Sequence, residues 1–169
     1  MAVRPIRLFP DECLSKLCHT VRKFDHELAN LVEDLTSTLY QSPGVGLAAP
    51  QIGVLQRVSV VDVRHRAKRE KVPPNHGVLV LVNPTLVRGE GIQIPREGCL
   101  SVPELLANVR RFERVTVSAF NASGISYEIS SEGFEALALQ HEIDHLEGRL
   151  FLDRVANLKT DIFRRKNYG

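Results

Sequence analysis

The chain has 169 residues, 43% of them hydrophobic and 25% charged, which suits a single globular domain over residues 1–169. Its 22 basic and 20 acidic side chains leave a formal net charge of +2, too little for a general attraction to DNA or to a membrane surface. No apolar run reaches the ~18 residues that span a bilayer, and the opening MAVRPIRLFPDEC has no signal-peptide core, so a cytoplasmic protein is expected.

Near the start stand Cys13 and Cys18, with Cys99 the third cysteine. An odd count without an export signal argues against a disulfide framework, and the first two read as buried or half-buried thiols. Asp25 to Tyr40 is an amphipathic helix. Leu28, Leu31, Val32, Leu35 and Leu39 recur at three- and four-residue spacing, Asp25 caps the start, and Ser42-Pro43-Gly44 stops it. Arg57 to Val63 and Gly77 to Val82 are rich in β-branched residues and read as strands, with a charged, solvated loop from Arg64 to His76 between them. Arg114 to Phe120 alternates, and Ile125 to Ile129 follows it across the hairpin turn Asn121-Ala122-Ser123-Gly124.

From Gly133 to Leu146 the period is again helical, with Gly148 as its stop. Phe134, Leu137, Ala138, Leu139, Ile143 and Leu146 surround this helix with apolar side chains, so it should be buried. Yet it also carries His141, Glu142, Asp144 and His145, and a buried helix keeps such groups only if they are paired or bind something. His141-Glu142-Ile143-Asp144-His145 fits H-E-x-x-H. Positions i and i+4 lie ~6 Å apart on one helix face, where two imidazoles hold one metal ion and the adjacent glutamate takes a proton from a metal-bound water. Asp144 either orients an imidazole or pairs with an arginine.

A catalytic site of this kind needs a third protein ligand. Downstream, Phe151 stands where one protease pattern has histidine, and no glutamate follows Glu147, which is too close on the same helix, leaving only Asp153 and Asp161 as weak substitutes. The third ligand is therefore expected upstream, and Cys99, in the short polar turn Glu97-Gly98-Cys99-Leu100-Ser101, is the candidate. Thiolate plus two imidazoles suits Zn²⁺ or Fe²⁺. A further block, Gly44-Val45-Gly46-Leu47-Ala48-Ala49-Pro50-Gln51, mimics a dinucleotide loop, but a helix precedes it and Pro50 breaks the segment where a helix would have to start. It reads as a turn of small residues, or as a place where a substrate backbone comes close with Gln51 as a neutral donor.

These three blocks, in this order and spacing, resemble those of the peptide deformylases: G-φ-G-φ-A-A-x-Q, E-G-C-φ-S and H-E-x-D-H. The resemblance implies an α+β fold, with small mixed or antiparallel β-sheets packed around a central buried helix that carries the histidines. It implies removal of the N-formyl group from the initiator methionine of new polypeptides in a bacterial cytoplasm, with release of formate. Cys99, His141 and His145 would hold one divalent ion, Fe²⁺ by family, with Zn²⁺, Ni²⁺ or Co²⁺ as substitutes. Glu142 would be base and then acid, and Gln51 with the Leu100 N–H would hold the oxyanion. The substrate would meet Gly46 and Glu97, with Val45, Leu100, Phe134, Leu137 and Ala138 around the methionine side chain. The chain departs from many relatives at Pro103-Glu104-Leu105-Leu106, which lacks an arginine, and at Pro95-Arg96. Its basic tail, Lys159, Arg164, Arg165 and Lys166, is either a transient ribosome contact or a solvated helix face. The rival classes are an H-E-x-x-H zinc endopeptidase, a non-enzymatic module with a structural metal, and an enzyme using Cys99 as nucleophile; oligomeric state is left open.

Overall fold

The computed structural model describes residues 2–65 and 72–165. Asp25 has extended backbone, and its Oδ1 accepts hydrogen bonds from the backbone N–H groups of Glu27 (3.1 Å) and Leu28 (3.2 Å). Two donors that a helix start leaves unpaired are thereby satisfied, and α1 (His26–Tyr40) begins where the sequence places it. Asp25→Ala is expected to cost about 1 kcal/mol, read as a lower denaturant midpoint at unchanged slope. The apolar stripe of α1, through Leu28, Leu35 and Leu39, packs on Leu47, Val58 and Val60 of the adjoining sheet.

That sheet has five strands in the order β1 (Gly46–Ala48), β2 (Val58–Val61), β3 (Leu79–Glu90), β6 (Arg114–Phe120) and β7 (Ser126–Glu132). A smaller sheet holds β4 (Arg96–Cys99), β5 (Val102–Asn108) and β8 (Ile162–Arg164). Every strand pair in both is antiparallel. No helix among the described residues is long and apolar enough to cross a membrane.

Several sequence expectations are corrected here. β3 does not stop at Val82 but continues to Glu90, past Asn83 and Pro84. A register shift between Val82 and Thr85, with Asn83 at φ 51°, removes the ladder position where Pro84 would have needed a backbone N–H. The loop expected from Arg64 to His76 forms no strand or helix where it is described, and residues 66–71 lie outside the described residues. Cys99 is not in a free turn: it ends β4, and the turn comes after it at Leu100 and Ser101. The basic tail makes a short strand on β5 rather than a helix, and Lys166 lies outside the described residues.

α2 (Gly133–Leu146) is buried at every position from Glu135 to Leu146 except Ile143. Its Ala136, Ala138 and Leu139 pack against Val61, Leu81 and Val117 of the large sheet. Toward the small sheet, the His141 ring stacks on Phe151 at 6.2 Å between centroids, and Phe151 itself belongs to a cluster with Cys99, Val102 and Ala107. α2 thus carries its polar residues between the two sheets, where each needs a partner. Glu135 has them: its carboxylate accepts from the backbone N–H of His76 (2.8 Å) and from the Ser131 hydroxyl (2.7 Å), and pairs with His76 Nδ1 (2.7 Å). Gly148 closes the helix at φ +70°, where a Cβ would meet the Ser15 carbonyl at 2.8 Å.

Candidate metal centre and active site

One helical turn separates His141 from His145, and their ring centroids lie 4.9 Å apart. The end of β4 brings Cys99 Sγ to 3.3 Å from His145 Nε2. One ligand atom from each of the three residues lies within 4.8 Å of the others. A tetrahedral ion with N and S ligands at ~2.0–2.3 Å sets its donors about 3.3–3.8 Å apart, so the cluster needs little closing to hold one.

The shell behind the donors is ordered from β4. Glu97 projects to the same side as Cys99, two residues back along the strand, and its Oε2 accepts from His141 Nδ1 at 2.9 Å. The other ring nitrogen, Nε2, is therefore the one free to bind an ion. Glu97 is held in turn by the Arg111 guanidinium, with Oε1 2.6 Å from Nε and Oε2 2.9 Å from Nη2. Arg111 Nη1 reaches Asp144 at 2.5 Å, and Arg154 binds both oxygens of Asp144. The open question about Asp144 resolves to arginine pairing. Burial opposes charge on Glu97, yet the hydrogen bonds from Arg111 and His141 outweigh it and hold the carboxyl near 2.

Burial also opposes a thiolate at Cys99, but the positive character of His145 and the hydrogen bonds of His141 and His145 win, and its pKa falls well below the usual thiol value. The sulfur further accepts hydrogen bonds from the Ser101 N–H (3.4 Å) and Gln51 Nε2 (3.6 Å). Gln51 is itself fixed, its Oε1 accepting from Ala48 N–H at 2.9 Å and its Nε2 donating to Ser101 Oγ at 3.1 Å.

Glu142 differs from its neighbours. Burial pushes its carboxyl up to about 7, against the lowering effect of His145 and His141, and its Oε2 is buried without a hydrogen-bond partner, as is His145 Nδ1. Gly46 lies so close that a Cβ there would collide with the Glu142 carboxyl. Gly46 of the Gly44–Gln51 block is thus explained by backbone passing directly over the acid, and Gly44 by the Leu100 side chain packed against it.

Cys99, His141 and Glu142 open into a cavity of about 510 Å³, lined also by Val45, Gly46, Gln51, Glu97, Leu100, Phe134, Leu137 and Ala138. Every candidate substrate or catalytic residue read from the sequence lines this space, and His145 lies just behind it. Glu97, assigned to the substrate from the sequence, gives both oxygens to Arg111 and His141. Sequence reasoning missed Arg111, which no local pattern distinguishes, and the cavity residues Ile6 and Leu8; Arg96, noted there as a departure beside Glu97, and Arg165, noted only as part of the basic tail, also line the cavity. Another recess, of about 550 Å³ around Phe112 and Arg154, is larger but has no converging ligand atoms.

A soft donor, two imidazoles and an unpaired buried acid meeting at one cavity define a protein with a group that could hold a metal ion. Residues 3–161 match the model of the polypeptide deformylase family, and the chain belongs to that family. The peptide deformylase of Thermodesulfovibrio yellowstonii is 41% identical over 98% of this chain and 97% of its own length. The crystal structure of a peptide deformylase from Legionella pneumophila superposes with a TM-score of 0.84 at 44% identity, covering 94% of this chain and 89% of the other. That from Thermotoga maritima gives 0.83 at 36% identity, covering 93% and 100%.

Proposed function

We propose that this cavity hydrolyses the N-formyl group of formylmethionine at the start of new polypeptides, and that the whole chain works as one catalytic domain for this reaction in the cytoplasm. The observation that carries the reading is the convergence of Cys99, His141 and His145 beside the unpaired Glu142 carboxyl. Cys99, His141 and His145 are the ligands of one divalent ion, Fe²⁺ on the family resemblance, with Zn²⁺, Ni²⁺ or Co²⁺ able to replace it. When bound, the ion supplies Lewis acidity, acidifying a water and polarising the formyl oxygen.

The chain's own groups do the rest. Glu142 takes the proton of the attacking water as its oxygen bonds to the formyl carbon. It then gives that proton to the amine nitrogen as the C–N bond breaks, so formate and a free methionine N-terminus leave together. A carboxyl raised toward neutrality by burial is suited to both transfers. Gln51 Nε2 and the Leu100 N–H donate to the oxyanion; such donors each contribute ~3–4 kcal/mol in other acyl-transfer enzymes. Val45, Leu100, Phe134, Leu137 and Ala138 surround the methionine side chain. Among the described residues β1 pairs with β2 alone, so its other edge at Gly46 can take the peptide backbone as an added strand. Glu97 acts through His141 as a positioning residue, and Glu97→Gln is expected to weaken metal binding by about 10–100-fold in chelator competition.

Formate release from a formyl-Met tripeptide, measured anaerobically with Fe²⁺, tests the reaction. Rapid release supports it. Protein holding one ion per chain that releases no formate, yet cleaves internal peptide bonds of casein, would return the endopeptidase reading.

A further inference from the structure

The mouth of the cavity carries two guanidinium groups that the reaction does not use. Arg96 begins β4 and Arg165 comes directly after β8, and both are exposed residues on the cavity lining. The only carboxylates on that lining are Glu97, occupied by Arg111 and His141, and Glu142, at the reacting end. Among the described residues neither arginine has a carboxylate partner.

Both nonetheless lie against other parts of the chain. The Arg96 guanidinium lies over the Phe163 ring, 3.9 Å from its centroid. The Arg165 backbone N–H donates to the Glu104 carbonyl at 2.8 Å, extending the β5–β8 pairing by one bond. Its guanidinium rests in the space where Gly98 has no side chain, and a Cβ on Gly98 would collide with it. The C-terminal strand therefore brings a cation beside Gly98, the neighbour of Cys99.

We propose that Arg165, with Arg96 beside it, determines specificity for the peptide segment after the methionine, favouring substrates with a carboxylate within their first residues. This rests on the cavity binding a formyl-methionyl peptide with its formyl end at Cys99, His141 and His145. A peptide reaching inward to those residues leaves its second and third side chains at the mouth, where the two cations meet them.

The test compares kcat/KM for two C-terminally amidated peptides, formyl-Met-Ala-Asp and formyl-Met-Ala-Lys, so that only one side-chain charge differs. Solvent-exposed ion pairs of this kind are worth about a two- to five-fold preference, and the aspartate peptide is expected to lead by that factor, mainly through KM. The preference should shrink as salt rises from about 10 to about 500 mM. Arg165→Glu is expected to reverse the order of the two peptides, and Arg165→Lys to keep it. Equal rates on both peptides in the wild type, or a preference that Arg165→Glu leaves intact, overturn the proposal. Hydrolysis of neither peptide would instead overturn the deformylase reading beneath it.

Discussion

Glu142→Ala is expected to lower kcat for formate release by about 10³-fold or more while the protein still holds one ion per chain. Proton transfer by a placed side chain is worth ~10²–10⁴-fold, and Glu142 makes two transfers in each turnover. The variant removes no ligand atom, since the converging donors come from Cys99, His141 and His145. Metal content, measured alongside activity, separates loss of the base from loss of the ion. The pH profile adds an independent reading. A base must be ionised, so kcat/KM should fall as pH drops through the Glu142 pKa. Burial sets that pKa at about 7, and the charge of a bound cation moves it down from there. In Glu142→Gln this acid limb should vanish from the residual rate. A limb that persists unchanged would assign the titration to another group and remove Glu142 from the role.

Arg111→Ala should be the most destabilising single substitution tested. The guanidinium is 2% exposed and joins Glu97, 1% exposed, to Asp144, 5% exposed, so its removal strands buried negative charge. Losing one partner of a buried ion pair costs ~3–5 kcal/mol, which for a chain of this length lowers Tm by about 10 °C. Arg111→Lys keeps the charge without the two-pronged geometry and should recover only part of the loss. The sign with pH comes from Glu97. Its folded-state pKa is depressed from 4.5 to about 2, so its contribution is complete above 4.5 and is lost as pH falls toward 2. The gap in stability between wild type and Arg111→Ala should therefore narrow across that window. A gap that stays constant from about pH 6 down to about pH 2 would mean that packing of the arginine, rather than its pairing with Glu97, is what the substitution removes.

What the sequence makes legible here is local. The leucine spacing and Asp25 cap of α1, the alternation of Val115, Val117 and Ala119 in β6, and the adjacency of His141, Glu142 and His145 all lie within one element. β4 escapes such reading because its inward face carries the carboxylate Glu97 beside Cys99, so the buried positions do not read as an apolar alternation. A strand that turns a carboxylate inward looks like an exposed turn until its partner is known. That partner, Arg111, lies 14 residues on, beyond the whole of β5, and pairs with Glu97 only because the chain folds back. Arg165 is further still from Gly98, the residue whose missing side chain makes room for it. The course of β3 past Pro84 is hidden for another reason: proline argues locally against a strand, and only the register shift against β6 accommodates it.

Because β4 both supplies Cys99 and, through Glu97, steers the imidazole of His141 on α2, the placement of two of the three candidate ligands depends on a single short strand. A slip of β4 against β5 would withdraw the sulfur and release the ring in one motion. Demetallation should then behave as an all-or-none event. Chelator should convert fully loaded protein to empty protein without a half-coordinated species accumulating, and amide protection in β4 should vanish in the same step as the ion.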